Sequence, residues 1–325
     1  MPPRPIVTAT RRLPDAVESA LRERFDARFP ETDRPMRPGE LAAALRDSDG
    51  LLPTVTDAIT AELLGAEQVR ARILANFGVG VNHIDLDAAR SRGIVVTNTP
   101  DVLTDDTADL AIALMLMVAR RLGEGERELR DGRWAGWRPT HLMGRTLRGM
   151  RLGIIGYGRI GRAVAERATR AFGMRVRYVS GSRSRPPAPD ESGLAEPAES
   201  LEALLAESDI VSLHCPLTPE THHLMNSERL ALMRREAILI NTARGPVVDE
   251  AALVAALRAG RLFGAGLDVY EREPAVPDEL RAMENVVLLP HLGSATMETR
   301  VAMGMRAVDN LTACLAGDPP PDRVA

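Results

Sequence analysis

The sequence predicts an α/β fold of two doubly wound, parallel-sheet domains, and three observations carry that expectation. Short apolar and β-branched runs alternate with helical patterns along nearly the whole chain, the order that builds parallel sheets covered by helices. The alternation breaks near the middle and then resumes, so a second unit follows the first, with a cleft expected between them. The 325 residues also exceed the roughly 250–300 at which a single core stops growing.

Residues 5–9 read as the first strand, and 16–25 follow as an amphipathic helix. Further strands are expected at 50–54, 72–75 and 94–97, with helical stretches at 40–46 and 59–64. Residues 106–121 form a long helix, apolar on more than one face, which implies packing against another domain or subunit. The stretch 131–139 breaks the pattern and contains both tryptophans, Trp134 and Trp137. In the second series the strands are 151–155, 175–179, 210–213, 237–241, 264–267 and 286–289. Helices are predicted at 162–172 and 298–315, whereas 183–197, rich in Ser, Pro and Gly, is expected to be a loop.

Hydrophobic residues make up 45% and charged residues 26% of the chain, ordinary globular proportions. A net charge of −4 and scattered basic residues argue against nucleic acid as a partner. Cys215 and Cys314 are isolated, so no disulfide framework is expected and a reducing, cytoplasmic setting is the simplest. Met1-Pro2-Pro3-Arg4-Pro5 lacks the apolar core of a signal peptide. The apolar run 110–119 is shorter than the roughly 20 residues of a membrane span, so no membrane partner is expected. No set of histidines, cysteines and carboxylates has metal-site spacing, and no metal is expected. All 41 basic residues are arginine. Without lysine, Schiff-base chemistry, a P-loop lysine and a Ser–Lys dyad are excluded. A cationic group at a site is then arginine, acting as an anion clamp, or histidine.

The sharpest motif is Gly156-Tyr157-Gly158-Arg159-Ile160-Gly161. It follows a predicted strand and leads into a predicted helix, the context in which such a run binds a dinucleotide pyrophosphate. Gly156 permits the turn, Gly158 admits the phosphates to the backbone, and Gly161 lets helix pack on strand. The helix N-terminus then faces the negative charge. The next strand ends at Ser180-Gly181-Ser182-Arg183, where an NAD site usually places a ribose-binding carboxylate. Ser180, Ser182, Arg183 and Arg185 suit a 2′-phosphate instead, so NADP(H) is the expected cofactor, with NAD(H) as the alternative.

Three strand ends carry polar residues, the place where open α/β sheets bind ligands. They are Asn241-Thr242-Ala243-Arg244-Gly245, Asp268-Val269-Tyr270-Glu271-Arg272-Glu273-Pro274 and Pro290-His291-Leu292-Gly293. Gly78-Val79-Gly80 and His214-Cys215-Pro216-Leu217-Thr218-Pro219-Glu220-Thr221 complete the pattern. With these motifs the chain resembles the D-isomer-specific 2-hydroxyacid dehydrogenases over nearly its whole length. Within that family it looks most like the glyoxylate/hydroxypyruvate reductases, on the strength of the segment 134–139 and the Ser/Arg ribose loop.

The resemblance implies a flavodoxin-like substrate domain, residues 1–100 and 291–325, and a Rossmann cofactor domain, residues 101–290. It implies reduction of a small 2-oxo acid to the 2-hydroxy acid by NAD(P)H. Arg244 would hold the substrate carboxylate and carbonyl oxygen, His291 would donate the proton, and Glu273 would pair with His291. Val79 and Gly80 would offer backbone N–H groups to the carboxylate. Cys215, Pro216, Thr221, Thr242, Ala243, Arg244, Asp268, His291 and Gly293 fall at cofactor-contacting positions. A homodimer is implied, with 106–121 and 134–139 at its interface and Trp137 reaching the partner's active site. The chemistry agrees with these roles: hydride addition to a carbonyl leaves negative charge on oxygen, which a guanidinium and an imidazolium stabilise. Two rival readings share the fold, a phosphoglycerate-dehydrogenase-like enzyme and a dinucleotide-sensing, corepressor-like binding protein. Of the remaining histidines, His214 is expected on the cofactor side without a proton role. His222 and His223 are expected to be solvated, and His83 and His141 to be structural or peripheral.

Overall fold

The computed structural model describes residues 3–180, 190 and 192–325. The chain divides into two compact units, Met1–Leu103 with Ser294–Ala325, and Thr104–Gly293.

The first unit is built on five parallel strands: β1 (Ile6–Ala9), β2 (Asp26–Arg28), β3 (Gly50–Leu52), β4 (Ile73–Ala75) and β5 (Val95–Thr97). Their order is β2-β1-β3-β4-β5, the flavodoxin-like arrangement. The inner strands are apolar on both faces, as a sheet covered on both sides requires; Leu51, Leu52, Ile73, Leu74 and Ala75 are fully buried. The edge strand β2 is short and polar, a form that discourages edge-to-edge pairing. Its brevity and polarity also hide it from a search for apolar runs. The end of the chain returns to this unit. Helix Met297–Ala316 packs on helix Asp15–Arg24 and on β3 to β5. Gly304 permits the close approach, because a Cβ there would lie 2.4 Å from Val17 Cγ2.

The second unit holds seven parallel strands: β6 (Arg151–Ile155), β7 (Arg175–Val179), β8 (Ala195–Pro197), β9 (Ile210–Leu213), β10 (Ile238–Asn241), β11 (Gly264–Leu267) and β12 (Val286–Leu288). The order β12-β11-β10-β9-β6-β7-β8 is the Rossmann order carrying one further strand. The chain starts at β6, winds one way to β8, and returns to wind the other way from β9. The carboxyl ends of β6 and β9 therefore flank the switch point, where such sheets take their ligands.

Three expectations are corrected here. Residues 195–197 are not loop: Ala195 is buried and pairs with Val176, while Glu196 and Pro197 stay exposed at the sheet edge, where proline is tolerated. The helix after the glycine loop starts at Arg159, not 162. The long apolar helix spans Thr104–Ala119, and its buried faces are consumed within its own unit, against helix Arg159–Phe172 and strands β10 to β12. A helix lying across a sheet and beneath a second helix has to be apolar on two sides, which accounts for its buried residues without a second domain. Among the described residues no helix is long and apolar enough to cross a membrane.

Candidate active site

In the second unit β6 runs straight into Gly156, whose φ of +97° places it in the left-handed region that favours glycine. A Cβ on Gly156 would sit 2.4 Å from the Cys215 nitrogen, and one on Gly161 would sit 2.3 Å from the Gly156 carbonyl oxygen. Both glycines are therefore required by packing. Gly158 is different. Its φ is −85° and a Cβ there would meet nothing within 4 Å. Packing gives no reason for glycine at 158; a ligand that approaches the backbone does. Gly158 also caps helix Arg159–Phe172 without any side-chain hydrogen bond, so the first N–H groups of that helix suit an anion. These residues fit a dinucleotide pyrophosphate. Arg159 is exposed and Ile160 half-buried at the start of the helix.

Next to this loop lies the β9 end. His214 is bonded through Nε2 to the Ser212 hydroxyl at 2.8 Å, with the Thr242 hydroxyl 3.5 Å from Nδ1. Burial lowers the His214 pKa to about 4, so it is neutral near pH 7 and is no proton donor. Cys215 is buried, which pushes its thiol up to about 11 and makes it inert. Thr221 closes the following turn: its hydroxyl donates to the Pro216 carbonyl at 2.7 Å and accepts the Thr218 N–H at 2.8 Å.

The ends of β10, β11 and β12 carry the other half. Asn241 binds both sides of the first turn, accepting the Ala243 N–H and donating to the Arg244 carbonyl, each at 3.0 Å. The Arg244 guanidinium donates to the Ala243 carbonyl at 2.7 Å. Burial lowers its pKa, opposed by the charge of Glu273. Gly245 locks this turn to the next one, because a Cβ there would lie 1.8 Å from the Tyr270 carbonyl. Glu250 and Glu271 add a clasp: the Glu271 N–H donates to Glu250 Oε1 at 2.8 Å and the Glu250 N–H to Glu271 Oε2 at 3.4 Å.

Glu273 and His291 meet across that turn, with His291 Nδ1 2.9 Å from Glu273 Oε2. The other carboxylate oxygen accepts the Tyr270 N–H at 3.1 Å. Burial presses the Glu273 carboxyl upward, but the bond and charge of His291, with the Tyr270 N–H and Arg244, outweigh it. The net effect holds the group below the ordinary carboxylate value. His291 itself has φ +56°, a strained conformation for a non-glycine residue that persists only where the surroundings impose it. Asp268 imposes it. Its carbonyl accepts the His291 N–H at 2.9 Å, and its two carboxylate oxygens accept the N–H groups of Leu292 at 2.6 Å and Gly293 at 2.8 Å. Burial raises the Asp268 carboxyl despite these donors.

Arg244, Glu273, His291, Asp268, Thr242, Ala243 and Gly293 thus share one sheet edge. Ser180 follows β7 on the same unit, whereas Ser182, Arg183 and Arg185 lie outside the described residues. Val79 and Gly80 belong to the first unit, following β4. Trp137 is 82% exposed. The expectation that His222 and His223 are merely solvated is corrected: their rings stack at 4.1 Å, and His223 Nε2 lies 3.1 Å from Glu271 Oε1. Neither Asp268's grip on the His291 loop nor the Glu250–Glu271 clasp is visible in the sequence. Among the described residues no group of His, Cys, Asp or Glu is arranged to hold a metal ion.

Comparison with known proteins agrees with this geometry. The family model for the NAD binding domain of D-isomer specific 2-hydroxyacid dehydrogenases matches residues 112–293. A glyoxylate reductase of Thermococcus litoralis is 45% identical over 325 residues, covering 99% of this chain and 97% of its own length. A solved Thermus thermophilus protein shares 50% identity and a TM-score of 0.89, with 98% and 100% of the two chains covered. An NADPH-dependent glyoxylate/hydroxypyruvate reductase of Sinorhizobium meliloti, solved with NADP and malonate, shares 38% identity and a TM-score of 0.87, with 99% and 97% covered. The chain belongs to the D-isomer specific 2-hydroxyacid dehydrogenase family, as an oxidoreductase whose second unit is the NAD binding domain.

Proposed function

We propose that this chain reduces small 2-oxo acids of the glyoxylate and hydroxypyruvate class to 2-hydroxy acids. The observation that carries the reading is the His291–Glu273 pair at 2.9 Å, set beside Arg244 on the sheet that bears the glycine loop. A reduced nicotinamide bound there supplies the hydride. Since His291 Nδ1 is committed to Glu273, Nε2 is the nitrogen that gives its proton to the carbonyl oxygen. Arg244 holds the substrate carboxylate and the oxygen on which charge develops, and the N–H groups of Val79 and Gly80 take the carboxylate. A coupled test follows reduced-nicotinamide absorbance with glyoxylate, hydroxypyruvate and a panel of other 2-oxo acids. Turnover of the small acids is expected; binding of dinucleotide with no turnover of any acid would favour a sensing protein.

The pyrophosphate is held by Gly158, Arg159 and Ile160 at the helix start. Replacing Gly158 with alanine is expected to cost no more than about 1 kcal/mol of stability: the space is open, and alanine is only a poorer N-cap than glycine. It should raise Kd for the dinucleotide about tenfold or more, which is about 1.4 kcal/mol or more. Loss of folding instead would return Gly158 to a structural role. Cys215, Pro216, Thr221, Thr242, Ala243, Asp268 and Gly293 line the remaining cofactor path in this reading.

NADP(H) is the preferred cofactor, supported by Ser180 at the strand end where a carboxylate would repel a 2′-phosphate. Arg183→Ala should raise KM for NADPH about tenfold, the loss of a charge-assisted phosphate contact, and leave NADH unaffected. Equal losses for both would sink the preference. We also propose a homodimer. Leu129, Trp134, Trp137 and Met143 form an exposed apolar stretch, 62%, 51%, 82% and 65% accessible, and Trp137 is its candidate contact with the partner's substrate. The two cysteines are free, in keeping with a cytoplasmic setting.

A further inference from the structure

We propose that Asn76, Asn98 and His83 are positioning residues that aim the N–H groups of Val79 and Gly80 at an anion and so set the affinity for the substrate carboxylate; this rests on the 2-oxo acid reading above. The argument lies wholly within the first unit. Asn76 follows β4 and is fully buried. Its Nδ2 donates to the carbonyls of Gly78 at 2.9 Å and Gly80 at 3.1 Å. Asn98, just after β5, donates through Nδ2 to the Val79 carbonyl at 2.9 Å. The Thr99 N–H adds a second donor to Gly78 at 3.1 Å.

Three successive carbonyls are therefore tied down by side-chain amides. Each carbonyl shares a rigid, trans peptide plane with the N–H of the next residue, and the two point in opposite directions. Fixing the Gly78 carbonyl fixes the Val79 N–H; fixing the Val79 carbonyl fixes the Gly80 N–H. Neither N–H finds an acceptor among the described residues, although both residues are half-buried. An unpaired N–H away from water is costly, and successive unpaired N–H groups offer an anion its donors. Donation to the carbonyl also polarises the peptide and strengthens its N–H as a donor.

His83 decides which way the Asn76 amide faces. His83 Nε2 lies 3.0 Å from Asn76 Oδ1. An amide oxygen only accepts, so Nε2 carries the proton and the Asn76 nitrogen is left to face the carbonyls. The turn thereby receives its donors in order, from ring to amide to peptide.

The test uses the full-length chain and Asn76→Ala, Asn98→Ala, His83→Ala and His83→Gln. Removing one anchor should raise KM for glyoxylate and Kd for malonate, an unreactive dicarboxylate, by about tenfold, the scale of one hydrogen bond to a charged group. The kcat and the KM for NADPH should stay near wild type. His83→Gln keeps an N–H donor and should restore most of the affinity lost in His83→Ala, which a purely structural role would not predict. Asn98 is half-buried, so Asn98→Ala still reports if Asn76→Ala does not fold. Folded variants with unchanged KM, or with losses confined to kcat, overturn the positioning role while the reductase reading stands. A wild-type chain that binds no malonate and turns over no 2-oxo acid overturns both.

Discussion

His291→Asn is expected to lower kcat for 2-oxo acid reduction by about 10²–10⁴-fold, the range over which positioned acid–base groups contribute, while dinucleotide affinity is retained. Asparagine is the informative substitution because residue 291 has φ +56°, and asparagine enters the left-handed region more readily than other non-glycine residues. The loop then keeps its shape under the three bonds from Asp268, and only the proton donor is lost. The partner carboxylate makes the result interpretable in acid. Glu273 is held below its ordinary value, so the stability it contributes is fully present above its unfolded pKa of about 4.3 and is lost as pH falls through the lower folded value. Activity lost above that window cannot be assigned to protonation of Glu273. Steady-state rates across pH, with a thermal melt as control, check both points. A folded His291→Asn chain with wild-type kcat would remove His291 from the chemistry.

The strand ends that carry the catalytic set were legible because polar residues gather there after apolar runs, at the ligand edge of a parallel sheet. The roles of Arg244, Glu273 and His291 came from the family resemblance that those motifs carry. Asp268 needed more. Its position at the β11 end is apparent, but its partners are backbone N–H groups 24 and 25 residues later, and no local pattern encodes them. Gly245 is similar: its lack of a side chain is imposed by the Tyr270 carbonyl, which lies in the turn after β11. Strand β8 was hidden because its stability comes from pairing with β7, while two of its three residues face solvent. The helix Thr104–Ala119 was read as over-apolar, and the neighbours that bury its core residues are its own sheet and helix Arg159–Phe172. Periodicity reports how much of a helix is covered, not by what.

Arg244→Ala is expected to lower kcat/KM by about 10³-fold or more, since it removes both a carboxylate clamp and a donor to the developing oxyanion. His291→Asn should act on kcat alone; Arg244→Ala should act on kcat and KM together. Arg244→Lys should recover little, because an ammonium cannot reproduce the planar fork that grips carboxylate and carbonyl oxygen at once. Burial works against the Arg244 charge, and the guanidinium donates to the neighbouring Ala243 carbonyl. A group held at the expense of solvation is one whose removal leaves stability level or raises it, a pattern expected where function and stability pull apart. Kinetics and melting measured on the same preparation decide the matter. A large loss of kcat/KM at an unchanged or higher Tm places Arg244 in catalysis, and parallel losses of both would make it a residue of the fold.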